Sequence, residues 1–104
     1  MKLMTKEIEA KLPKLYANEN KKAEDIPIIF KMFTPWSSWT WYVTEGEKQE
    51  SDWLFFGFVR GLENEAGYFT LSELEELRGP GGLKVERDLH FGKHTLQEVM
   101  DRQL

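Results

Sequence analysis

The sequence contains no cysteine. Disulfides, thiolate zinc sites and a cysteine nucleophile are therefore excluded. That absence is compatible with the cytosol. Long apolar runs are missing too. The longest are stretches such as WLFFGFV, Trp53 to Val59, far below the ~20 residues of a membrane span. The N-terminus, MKLMTKEIEAKL, lacks the apolar run of a signal peptide. A cytoplasmic protein is expected. Positive charge is also scarce: 14 bases stand against 18 acids, for a net charge of −4. Nucleic-acid binders usually present a basic face to the phosphates, so this balance argues mildly against that class. With 104 residues, the chain has room for one domain, spanning 1–104, and one modest core.

Aromatic residues, by contrast, are plentiful at 13% of the chain. Trp36, Trp39 and Trp41 fall within six residues, in FTPWSSWTWY, out of four tryptophans in all. In a domain this small, aromatics must dominate the core and reach the surface as well.

The order of elements reads as α+β. Thr5 is placed to cap a first helix carrying Ile8 and Leu12, which Pro13 should stop near Lys11 or Leu12. Asn18 to Asp25 is a polar loop. Ile28 to Phe33 reads as a strand, Thr34 to Ser38 as a turn, and Trp39 to Thr44 as a second strand. Glu45 to Asp52, EGEKQESD, reads as a polar loop. Trp53 to Arg60 is a third strand, Gly61 to Ala66 a turn, and Gly67 to Thr70 a short fourth strand. Short links between successive strands imply an antiparallel meander. Thr70 and Glu73 have the spacing of a capping box, opening a helix that ends near Arg78 before Gly79-Pro80-Gly81-Gly82. Leu83 to Leu89 fits a fifth, edge strand. Thr95 and Glu98 repeat the capping-box spacing before a last helix. The expected fold is a small twisted antiparallel sheet of four to five strands, with two or three short helices packed on one face.

Strand alternation sharpens the functional question. Trp39, Trp41 and Val43 should share one face, and Thr40, Tyr42 and Thr44 the other. The third strand is apolar on both sides and should be central. Short helices on one face leave the second face half-exposed, curled on itself, or covered by a partner. Trp36, Trp39, Trp41 and Tyr42 are therefore candidate binding residues, with Trp36 the tryptophan most expected at the surface.

Polar candidates lie further on. Glu86-Arg87-Asp88-Leu89-His90 is a dense polar run, and Asp88 with His90 has the composition of a general-base pair. The competing reading is an edge strand with solvated charges or an ion pair. His90 and His94 lie four residues apart, but the intervening glycine argues against a helical metal site, and no metal is expected. Gly79 to Gly82 lacks the Lys-Ser/Thr of a phosphate loop and ends a helix rather than opening one, so no nucleotide cofactor is expected. Arg78 beside it is a candidate anion contact, though a last-turn arginine commonly just favours the helix dipole. The acids cluster at Glu45, Glu47, Glu50 and Asp52, at Glu63 and Glu65, and at Glu73, Glu75 and Glu76. Where such clusters share one side, they suit a basic partner.

FTPWSSWTWYVTE, followed by LFFGFVRGLENEAGYFTLSELEELRGPGGLKVERDLHF, resembles an uncharacterised bacterial domain-of-unknown-function family. Its members occur on plasmids, phages and other mobile elements. The resemblance covers Leu3 to Phe91, with the segment from Gly92 outside it. It implies an accessory role on such an element and no catalytic residues.

The expected function is a non-enzymatic module that engages a protein partner through an aromatic face and an acidic rim. The alternative is single-stranded nucleic-acid binding, with Trp36, Trp39 and Tyr42 stacking on bases and Lys31, Arg60 and Lys84 near phosphates. A small enzyme built on Asp88 and His90 is a minority reading. Homodimerisation through an uncovered sheet face is a further option.

Overall fold

The computed structural model describes all residues, Met1–Leu104. A hairpin-connected meander builds most of it. Strands β1 (Phe30–Phe33), β2 (Thr40–Gln49), β3 (Asp52–Arg60) and β4 (Asn64–Thr70) follow one another. A short β5 (Glu86–Arg87) returns to the far side of β1, giving the order β4-β3-β2-β1-β5, antiparallel throughout. The doubly apolar β3 lies inside the sheet and β4 is a free edge.

The helices are as short as their signals suggest. α1 (Lys6–Lys11) starts at Thr5, whose hydroxyl accepts the Ile8 amide, and stops at Leu12 before Pro13. α2 (Leu71–Glu76) and α3 (Leu96–Asp101) both open on complete capping boxes, Thr70 with Glu73 and Thr95 with Glu98. Such caps satisfy amides that a six-residue helix cannot pair internally. α2 ends at Glu76, slightly before the expected Arg78. No helix is long and apolar enough to cross a membrane.

Two expectations need correction. The first concerns Glu45 to Asp52, which is not a loop. β2 runs on to Gln49 and turns tightly into β3 through Glu50, which has a positive φ of 57°. A bulge between Val43 and Glu45 interrupts the register. The polar residues misled because a hairpin arm projecting from the core needs no apolar alternation.

The second concerns helix cover, which is not confined to one face. Phe30, Met32, Trp41, Val43, Phe55 and Phe69 form the larger core, closed by Leu3, Ile8, Leu74 and Val85. This face lies under α1 and α2. On the opposite face Tyr42 and Phe58 pack against Ile28 and Val99, with Phe91, Leu96 and Leu104 around them. α3 and the residues beside it cover that side. A sheet apolar on both sides must be shielded on both, and the chain supplies the second layer from Ile28 and the segment from Phe91 to Leu104. Tyr42 anchors it: its hydroxyl donates to the Leu104 carbonyl at 2.8 Å. Burial pushes the Tyr42 pKa above its ordinary value, against the lowering influence of Arg60.

Candidate functional site

The clustered tryptophans separate in space. Trp41 is buried in the larger core and Tyr42 is fully buried on the opposite face. Tyr42 is closed to a partner, and Trp41 keeps only a small exposed edge. Trp36 is a correction as well. It packs half-buried against the larger core and lies over Gly79, where any Cβ would overlap the indole. A residue in a Pro-Ser loop looked exposed because the glycine that receives it is more than 40 positions away. Trp39 is the one at the surface, 37% exposed. It stacks on Trp41 and lies against Gly61.

Trp39 forms one wall of a groove of about 460 Å³ beside the free edge. Trp41, Val59 and Phe69 line its floor, and Leu62, 93% exposed, stands at its lip. Glu63, Glu65 and Glu73 also line it, with no lysine or arginine among the lining residues. The β3–β4 turn carries Leu62 and Glu63, β4 carries Glu65, and α2 carries Glu73. Register explains the convergence: Trp41 pairs with Val59 and Val59 with Glu65, so all three lie in one row on one face. Two of the three acid clusters thus meet at one aromatic groove. The third does not: Glu45 is buried on the other face, and Asp52 accepts from the Ser72 hydroxyl at 2.6 Å and the Trp53 amide at 2.8 Å. Those bonds hold the Asp52 pKa below its ordinary value. Sequence reading missed Leu62, because an isolated leucine in a polar turn carries no period.

The remaining candidates serve the scaffold. Arg78 donates to the Glu75 carbonyl at 2.6 Å and the Leu77 carbonyl at 2.8 Å, finishing α2. Arg87 sits in β5, paired with Met32. Asp88 bridges to Lys31 at 3.2 Å and accepts the backbone amide of His90 at 2.9 Å. Burial alone would raise the Asp88 pKa, but the His90 amide and Lys31 outweigh it and hold it low. The Asp88 carboxylate therefore meets the His90 backbone instead of orienting its ring. His94 is engaged elsewhere, with Glu98 at 3.2 Å and the Phe91 carbonyl at 2.9 Å. That contact is the main cause of the lowered Glu98 pKa. Of the bases expected near phosphates, Lys31 is in the Asp88 pair, and Arg60 donates to the Val99 carbonyl and lies 5.4 Å from the Phe58 ring centre.

Fold and groove together define a small α+β domain with an acidic, aromatic surface groove. The chain belongs to the family of proteins of unknown function DUF2958, whose model matches residues 3–101. The match runs past Phe91 through α3, contrary to the narrower expectation, and ends before Leu104. No curated protein and no solved structure matches the chain.

Proposed function

We propose that this protein is a non-enzymatic binding module whose Trp39 groove takes a basic segment of another protein. What supports the reading is the groove itself: an aromatic and aliphatic floor lined by Glu63, Glu65 and Glu73, with no base among its lining residues. An exposed tryptophan set in an apolar patch is a typical binding anchor. The carboxylates favour lysine or arginine on the incoming chain and speed its approach. An accessory role on a mobile element accords with the resemblance noted above.

Single-stranded nucleic acid is the weaker reading. Of its three proposed platforms only Trp39 is open, and it stands among carboxylates that repel phosphate. A peptide array graded from net negative to net positive charge tests the choice. Binding that rises with positive charge, weakens with salt and disappears in Trp39→Ala supports the basic-segment reading. Binding indifferent to peptide charge overturns it. Capture of an oligonucleotide with no peptide binding moves the second reading ahead.

A further inference from the structure

On the opposite face, the bulge in β2 has a chemical consequence. Unbroken alternation would set Glu45 beside Trp41 and Val43 in the larger core. The bulge instead pairs Glu45 with Phe56, turning its carboxylate to the other side. Bulges commonly re-aim a side chain in this way. Glu45 is only 5% exposed and forms no ion pair with any base of the chain. One oxygen accepts the Tyr16 amide at 2.6 Å. Tyr16 meets it from an unusual backbone conformation, with φ of 71°. The other carboxylate oxygen has no protein donor.

Glu45 lies at a cleft of about 330 Å³, within the size range of ligand sites. Phe56 and Tyr68 form an aromatic pair there, with centroids 4.9 Å apart, and Tyr16 stands opposite. The Tyr16 phenol beside Tyr68 pushes its pKa above the ordinary tyrosine value. Asn18 also lines the cleft, is 5% exposed, and its enclosed amide nitrogen has no hydrogen-bond partner. Glu19 adds a second carboxylate, and no lysine, arginine or histidine lines the space.

We infer that this cleft is a guanidinium site, taking an arginine side chain or a free arginine-like molecule. A buried carboxylate without a counter-charge is costly, and a bound cation relieves it. The planar guanidinium matches the carboxylate through parallel N–H donors and stacks on aromatic faces. The cleft and the Trp39 groove share only Tyr68 at the sheet edge; Glu45 and Phe56 lie on the opposite face from Trp39 and line only the cleft.

The test is an NMR titration of the full chain with blocked arginine amide, free arginine and blocked lysine amide. Saturable shifts at the Tyr16, Asn18 and Glu45 amides with blocked arginine are expected. Glu45→Gln keeps an acceptor for the Tyr16 amide and should weaken binding by about tenfold or more. Tyr68→Ala, at a half-exposed position, should weaken it several-fold and decides the matter should Glu45→Gln fail to fold. Trp39→Ala should leave arginine binding unchanged even where it abolishes peptide binding. Free arginine binding as well as the blocked form assigns the site to a small molecule, and weaker binding assigns it to a peptide side chain; either outcome supports a guanidinium site. Absence of saturable shifts, unchanged affinity in Tyr68→Ala, or equal affinity for the lysine amide overturns it.

Discussion

Trp39 stacks on Trp41 with ring centres 5.9 Å apart and planes inclined by 28°. The outer ring is partly solvated while the inner one is almost wholly buried in the core. Adjacent positions on one face therefore do different work. Trp39→Ala should cost about 1 kcal/mol of stability, the scale of an aromatic contact, while removing peptide binding. Trp41→Ala should cost about 3–5 kcal/mol, as a large core deletion does. Urea denaturation of both variants, alongside peptide titration, checks the pair. Equal destabilisation would mean that Trp39 is as much core as Trp41.

Trp36 and Gly79 hold the Pro-Ser turn against the segment after α2. Gly79→Ala drives a methyl group into the indole and should cost about 1–3 kcal/mol through overpacking. Trp36→Ala should destabilise as well. The double variant should cost less than the sum of the two, because the methyl then has space. Strict additivity in urea midpoints would show that the two residues do not press on each other.

The pH dependence has two limbs. Asp88, Asp52 and Glu98 all lie below their ordinary values in the folded chain. A depressed carboxylate binds its proton less readily folded than unfolded. Its stabilisation is present above the unfolded pKa of roughly 4 and is lost as pH falls through the folded value. Stability should therefore decline below about pH 4. Asp88→Asn should be less stable at neutral pH and show a shallower acid slope. An unchanged slope would remove the Lys31 pair from the account.

The alkaline limb involves two tyrosines with raised pKa, Tyr68 at the surface and the buried Tyr42. The raised Tyr42 pKa means the folded state holds the phenolic proton more tightly. That contribution is complete below about pH 10 and falls above it. Tyr42→Phe should lessen the alkaline decline, leaving the part due to Tyr68, and, with the bond to Leu104 gone, should cost about 1 kcal/mol at neutral pH. Amide exchange should quicken in α3 before the larger core. Uniform quickening across the sheet would show that the two layers open together.

Much of this architecture was legible in the residues. Thr70 and Thr95 announce their helices because a capping box is a local contract among four residues, and Thr5 does so as a simple N-cap. The opposed rows of β2 and β3 follow from simple alternation. What escaped were features made by distant partners. Gly79 receives Trp36 from another part of the chain, and the apolar cover of Tyr42 comes from residues around position 100. The Glu45 bulge breaks the very alternation used to assign faces. In the groove, Glu63, Glu65 and Glu73 read as acidic clusters, but their meeting beside Trp39 depends on strand register, which a single sequence does not display.

The carboxylates of the groove also bear on how copies of the chain treat one another. β4 leaves one side of its backbone without a neighbouring strand. An open edge of this kind invites a second sheet to zip onto it. Glu63 and Glu65 flank that edge, and an antiparallel approach of two copies would bring their like charges together. On the proposed reading, the residues that draw in a cationic chain also oppose edge pairing between copies. Neutralising them should favour edge-joined assemblies, read as a rise in mass by light scattering, so on that reading partner choice and self-association rest on the same side chains.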